Sequence, residues 1–445
     1  MKRSTIAIYP AALTTFFACL LLCYQMNAQV AWTVEQKTDM PEAVSNNAVA
    51  AAKSADGKTY LYSFGGIDET KAWSGIHNRS YRYDVLLESW ESIPDLPMST
   101  PVIAAGATNI QEKIYILGGY SVNMLSQEVS SNQLFEYDPT SNTYTEKASL
   151  PRATDDHVQV AYKDSLLYVI SGWSNNGNIV DVQIYNPALD EWQIGTPLPN
   201  LSEYGAFGAS GAMLDDTIYY AGGATVVGFN FTLKPLLRKG YVHPDDPTQI
   251  DWSVQEMEHA LGYRMASLAL NFDDTDGIIY WIGGSDISYN FDGIAYSNGQ
   301  GVPATGDIRE YDRGSGLFQR LEGVIQPTMD LRGIGQIGLG NFMIAGGMGE
   351  NQTVHGQTLE LNAGVFLGLD EETSEQASFI KTVSADYVKL KTAFTNSGYQ
   401  IYSTSGQLMK QGKSEGGTIS VSNLVRGTYL LSLKDQKRAE RFIIQ

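Results

Sequence analysis

Beyond residue 23 the chain contains no cysteine: both of its cysteines, Cys19 and Cys23, lie near the start. The remainder therefore has no disulfide, no thiolate nucleophile and no cysteine-held metal. Histidine is scarce as well. His77, His157, His243, His259 and His355 are scattered without metal-ligand spacing, so no metal and no cofactor is expected. The third shortage is positive charge. Residues 29–370 hold 18 Lys+Arg against 42 Asp+Glu, whereas residues 371–445 hold 10 against 7. So acidic a body excludes nucleic acid and an anionic membrane surface as partners. Long apolar runs are missing too. The longest, Ala11–Cys23, is broken by Thr14 and Thr15 and is too short to span a bilayer. It follows Lys2 and Arg3 and precedes Asn27 and Ala28, the layout of a secretory signal peptide cleaved after Ala28.

What the chain has instead is a repeat. An apolar strand ending in two small residues recurs as YLYSFGG (Tyr60–Gly66), KIYILGG (Lys113–Gly119), LLYVISG (Leu166–Gly172), TIYYAGG (Thr217–Gly223), IIYWIGG (Ile278–Gly284) and FMIAGG (Phe342–Gly347). The first small residues are spaced by 53, 53, 51, 61 and 63 positions. A period of about 50 residues indicates one propeller blade per repeat. Within a unit, an alternating strand, the buried strand, a third strand and an outer strand follow one another, separated by turn residues. The last unit shows no fourth strand after Gln357–Leu361, while Ala31–Pro41 (AWTVEQKTDMP) reads as a fourth strand with nothing before it. Pairing the two closes a six-bladed ring and removes a free sheet edge. The two longer spacings place insertions at Ala224–Ile250 and Ser285–Gly306.

These units resemble the kelch repeat. The match rests on the glycine pair, a tyrosine on the third strand (Tyr83, Tyr137, Tyr185, Tyr311), an aromatic on the fourth (Trp90, Tyr144, Trp192, Phe318) and the exits Leu96-Pro97 and Leu150–Arg152. It implies an all-β, six-bladed kelch propeller over 29–370. A polar linker, 371–378, leads to a second unit, 379–445. Its short alternating strands indicate a small immunoglobulin-like β-sandwich. Three pieces, YQIYSTSGQLMKQG (Tyr399–Gly412), ISVSNLVRGTYLLSL (Ile419–Leu433) and ERFIIQ (Glu440–Gln445), resemble the C-terminal sorting domain of the type IX secretion system of Bacteroidetes. Leu424, Gly427 and Tyr429 form the core of that sorting signal. The resemblance implies a protein that meets the type IX machinery and ends up secreted or attached to the outer-membrane surface.

An antiparallel four-strand meander puts two sets of loops on one face of the disc: those between second and third strands, and those between blades. The long ones carry Trp73, Tyr120, Trp173, Tyr289 and Phe291; the channel mouth receives Arg152, Asp155, Tyr204, Arg264 and Arg332, with Asp156, His157 and Asp330 beside them. Loops on a rigid scaffold are the usual place for function. Aromatic faces with mixed charge suit a glycan or a protein ligand, so a monomeric, non-enzymatic binding module is expected. The alternative is a carbohydrate-active enzyme in the channel mouth, such as the sugar mutarotases or epimerases that also use kelch blades. That chemistry needs an acid and a base in the channel, and Ala224–Gly240 contains no acidic residue. Phe272–Gly277 is aspartate-rich like a calcium loop but lacks the later acidic ligand.

Overall fold

The computed structural model describes residues 32–363 and 380–444, apart from 229, 259–261, 272–276, 339, 385, 392–393, 404–407 and 435–438. The signal peptide read from 1–28, the linker at 371–378 and the aspartate run at 272–276 lie outside the described residues. Among the described residues from Trp32 to Ala363, six sheets each carry an antiparallel meander of four strands; the first also takes Arg332–Gly333 in parallel beside Ala48–Lys53, and a separate two-stranded ribbon pairs Trp173–Ser174 with Gly177–Asn178. The inner strands are Ala48–Lys53, Ile103–Ile110, Val158–Tyr162, Phe207–Leu214, Ala266–Asn271 and Gly335–Gly338. Each second strand is one of the apolar runs of the repeat. The sixth sheet takes its outer strand from the start of the chain: Trp32–Lys37 pairs with Thr358–Ala363, residue 32 opposite 363 and residue 37 opposite 358.

That outer strand is clamped to both neighbours. The Trp32 indole donates to Glu310 Oε1 of the fifth blade at 3.0 Å, and its ring meets Tyr280 edge-on at 5.0 Å. Lys37 Nζ pairs with Glu360 in its own blade and with Glu88 in a turn of the first, at 3.1 and 3.2 Å. Other outer-strand tryptophans follow the same rule. Trp192 donates to the Ala148 carbonyl and Trp252 to the Thr196 carbonyl, each in the exit of the preceding blade. The tyrosine and aromatic of the repeat are cross-strand partners. Tyr83 lies opposite Trp90, Tyr137 opposite Tyr144 and Tyr185 opposite Trp192, with ring centroids 5.2, 4.9 and 5.1 Å apart. Such pairs stabilise a sheet beyond the area they bury.

The small-residue pairs have a backbone role. Both members are left-handed in every blade, Ser171 included. The amide of the second member donates to a carbonyl in the approach to the next blade's inner strand: Gly119 to Thr154, Gly172 to Ala206, Gly223 to Gly262, Gly284 to Thr328 and Gly347 to Val44. These five bonds join successive blades, and the last joins the sixth to the first. The first member sits against the same segment. A Cβ on Gly283 would lie 2.4 Å from the Thr328 carbonyl oxygen. Glycine takes this place in five blades, and in the third the backbone accommodates Ser171, whose Oγ donates to the Ala206 carbonyl at 3.0 Å.

One stretch departs from the sequence reading. Residues 224–250 are mostly strand, not an inserted loop. The second strand of the fourth blade runs on to Val227 and pairs with Asn230–Leu233; Leu236–His243 and Asp246–Glu256 then complete the sheet. Arg238 disguised the third strand, because an arginine interrupts its apolar pattern. The side chain is nevertheless buried, donating to the Glu203 carbonyl at 2.6 Å and the Gly222 carbonyl at 3.0 Å, with its guanidinium over Tyr220. Residues 285–306 do form a long loop, held by isolated bridges such as Tyr289–Ala295.

The C-terminal unit is two facing sheets. One holds Ile380–Val383, Tyr387–Leu390 and Thr418–Ser420; the other holds Leu408–Lys413, Gly398–Ser403, Gly427–Leu433 and Ala439–Ile444. Val388, Ile401, Ile419, Leu431 and Phe442 meet in its own core. Tyr429 is buried there, its hydroxyl donating to the Val425 carbonyl at 2.7 Å, and Leu424 packs at the edge.

Gly283 and Gly299 share a φ of +68°, but a Cβ on Gly299 would meet nothing within 4 Å. Gly299→Ala should therefore cost only backbone strain, about 1 kcal/mol. Gly283→Ala adds the collision with Thr328 and should cost at least about 2 kcal/mol more. Urea unfolding of both variants measures the difference; equal losses would refute the clip between blades.

Candidate functional site

At the start of each inner strand one residue lies at the channel mouth: Asn46, Ala104, Asp156, Gly208, Arg264 and Asp330. All six are left-handed, with φ between 49° and 65°. Backbone bonds run from one to the next around part of the ring. The Asp156 amide donates to the Ala104 carbonyl, Gly208 to Asp156 and Arg264 to Gly208. Five non-glycine residues in this conformation store strain that the surrounding structure must hold in place.

The side chains of this collar form one ionic hub. Arg264 lies between Asp156 at 2.8 Å and Asp330 at 3.2 Å. Arg332 reaches Asp156, Asp330 and the Asn46 side-chain oxygen, and the Asn46 amide donates to Asp330. Arg264, Asp156 and Asp330 are all buried. Burial works against the charge on Asp156, but Arg264 and Arg332 prevail and hold its carboxyl below the usual range. Asp155 goes the other way. Burial and the neighbouring Asp156 push it well up, while Ser130 Oγ donates to it at 2.5 Å. Rings of Tyr263 and Tyr289 cover Arg264 with centroids 5.0 and 5.1 Å from its guanidinium carbon.

Below the hub runs a channel of about 1010 Å3, walled by inner-strand residues such as Ala51, Gly106, Ala161, Gly211 and Ala269. The buried hub closes it toward the long-loop face, and the exposed Lys53 and Glu112 line its opposite end. Above the hub the long loops pack on one another. Phe207, Tyr263, Tyr289, Val302, Met329 and Met348 form a core to which Trp173, Phe231 and Tyr296 add partly buried rings. Phe231 and Tyr296 are 4.3 Å apart, and Trp173 meets Phe207 edge-on at 5.2 Å.

The candidate residues read from the sequence thus divide. Arg264, Asp155, Tyr120, Tyr204 and Tyr289 are buried, and Arg332 is largely so. Phe291 crosses to pack on Ile67, Ile103 and Tyr120 of the first two blades. Arg152 is exposed but paired with Asp181 at 2.6 Å. Trp73 alone among the aromatic candidates stands out, 48% exposed on the short turn Trp73–Gly75. Sequence reasoning missed Met124 and Leu125, 72% and 74% exposed at the tip of the second blade's hairpin, and Val129 beside them. The polar turn residues around them, Asn123 and Ser126-Gln127, were the available signal. Among the described residues no cluster of histidine, cysteine or carboxylate side chains is arranged to hold a metal.

A family model described as the KLHDC2/KLHL20/DRC7 Kelch-repeats domain matches residues 15–223, and one described as the secretion system C-terminal sorting domain matches residues 384–445. The body is a kelch propeller, and the tail is a type IX sorting domain. Among curated relatives, Beta-scruin of Limulus polyphemus is 31% identical over 143 residues, covering 31% of this chain and 15% of that protein. Kelch-like protein terF of Aspergillus terreus is 27% identical over 153 residues, covering 32% of each. The matches thus span a third or less of these relatives. The solved structure titled "Structure of YjhT" shares the kelch body's fold, with a TM-score of 0.57 and 14% identity over 72% of this chain and 95% of that one. The sorting domain directs the kelch protein to the cell surface or the extracellular space, and no helix among the described residues is long and apolar enough to cross a membrane.

The buried charges lead to two expected outcomes. Arg264→Met leaves two buried carboxylates, Asp156 and Asp330, to share Arg332 and should cost about 3–5 kcal/mol in urea unfolding. Adding Asp330→Asn should recover part of that loss; strict additivity would show that the two do not interact. The second concerns His355, whose ring nitrogens are buried without a hydrogen-bond partner. Burial depresses its pKa to about 4. Below its unfolded value of about 6.5 the unfolded chain gains a proton that the folded chain refuses. Its contribution is therefore complete above pH 6.5 and is lost as pH falls toward 4. Between pH 7 and 4.5 the native protein should lose about 2 kcal/mol more than His355→Gln does. Equal losses would sink this assignment.

Proposed function

We propose that this kelch propeller is a surface-displayed or secreted module that binds a protein partner on its long-loop face. The observation that carries the reading is the exposed crest of Trp73, Met124, Leu125 and Val129, raised on loops whose bases are packed. Isolated exposed apolar residues are ordinary on any surface. Here four stand in the two neighbouring loops of the first and second blades. Ile67 and Ile76 at the base of one loop pack on Tyr120 and Val122 at the base of the other. Rigid loop bases reduce the ordering cost of binding.

Glycan recognition is supported less. A sugar platform needs an open aromatic face beside free polar groups, and the rings of Trp173, Phe231, Tyr289 and Tyr296 are turned on one another. The enzyme reading is weaker again, because Asp156, Arg264, Asp330 and Arg332 at the channel mouth are engaged with each other and buried. Aliphatic and methionine side chains on hairpin tips suit a protein surface.

A photo-crosslinking residue placed at position 125, and in a second protein at position 189 on the opposite face, tests this on intact cells. Leu189 is 61% exposed, so the two sites differ in location and not in accessibility. Discrete protein adducts at 125 and none at 189 are expected. Adducts at 189 alone, or none at 125, would overturn the reading.

A further inference from the structure

Resting on the long-loop face as the docking surface, we infer that its partner presents a basic segment, with lysine or arginine beside aliphatic side chains. The loops of the apolar crest and the connection beside them carry carboxylates that form no direct ion pair. Glu69 stands in the loop of Trp73, Glu128 adjoins Val129, Asp95 lies in the connection between the same two blades, and all three are exposed. None of them has an ion-pair partner among the described residues, and neither has Glu350 in the adjoining loop of the sixth blade. The two crest loops, residues 68–75 and 123–129, contain one basic residue, Lys71. Its ammonium is already held by the Gln352 carbonyl at 2.9 Å.

Some acids elsewhere on the body do meet a cation: Glu136 meets Lys113 and Lys147, Asp307 meets Arg320, Asp181 meets Arg152 and Glu42 meets Arg79. At the crest, Glu69, Asp95 and Glu128 stand without an ion pair near exposed apolar side chains, and Lys71 is the one cation of the two loops. An acidic partner would meet repulsion at each of these carboxylates. A neutral one would have to desolvate their surroundings without return. A basic segment gains from both features: its aliphatic groups cover Leu125 and Met124 while its cations meet Glu69, Asp95 and Glu128. Complementarity of this kind sets partner choice and speeds encounter.

The full chain can be tested with short fluorescent peptides read by anisotropy: one of lysine, leucine and glycine, its glutamate counterpart, and one of lysine and glycine only. The lysine–leucine peptide should bind, weaken as salt rises and outbind both others. Glu69→Lys with Glu128→Lys should weaken it about tenfold or more, as should Leu125→Asp. The same charge reversal at Glu191 and Asp245, exposed residues away from this face, should leave it unchanged, and thermal melting of each variant confirms folding. Equal binding of the glutamate peptide would overturn the inference. So would no binding of the lysine–leucine peptide, or equal weakening by the distant pair, which would reduce the effect to the overall acidity of the body. A crosslinked partner at position 125 combined with any of these results would refute the basic segment while leaving protein binding intact. Absence of that crosslink would remove both.

Discussion

The propeller depends on a hydrogen bond between a glycine amide and a carbonyl of the neighbouring blade. Five such bonds, from Gly119, Gly172, Gly223, Gly284 and Gly347, tie blade to blade. A main chain can approach another this closely only where neither carries a side chain in the gap. This accounts for the spelling of the repeat: two small left-handed residues after an apolar strand. The aromatic pairs and the outer tryptophans act farther out, where they fill the wedge that widens from axis to rim. The ionic hub acts at the axis, where six strands converge and side chains from different blades can meet. Arg264 and Arg332 there join Asp156 of the third blade and Asn46 of the first to Asp330 of the sixth.

That division explains what was legible in the chain. Blade number, the strand–strand–turn order and the sandwich character of the tail follow from local spacing, because glycine pairs and alternating apolar residues report their own neighbourhood. The third strand of the fourth blade was illegible for a related reason. Arg238 looks like a surface residue until the Glu203 and Gly222 carbonyls that receive its protons are brought to it by distant turns.

The burial of the candidate residues was not legible in the chain, and the reason is again physical. Tyr289, Tyr120 and Arg264 carry the chemistry of binding residues, yet in a ring their first neighbours are other blades. Arginine and aspartate at equivalent positions of different repeats find each other across the axis, a meeting that no sequence window contains. Tyrosine on a long loop is drawn down over the guanidinium it can cover. Met124 and Leu125, with no polar function to advertise, were left exposed because their hairpin stands clear of the ring. Residue type alone did not tell which of these side chains the ring buries and which it leaves exposed.

The N-terminal strand gives the molecule a sense of time as well as shape. Trp32–Lys37 is made ahead of every blade, yet its partner, Thr358–Ala363, is the last strand of the sixth. Until then the first residues have no sheet to join. The sixth blade lacks its rim, and the Trp32 indole waits for Tyr280 and Glu310, which come only after four whole blades. Contacts of such long sequence separation form late and slowly. A ring fastened by its own leading end can close only once residue 363 is free to meet residue 32, whatever follows it in the chain.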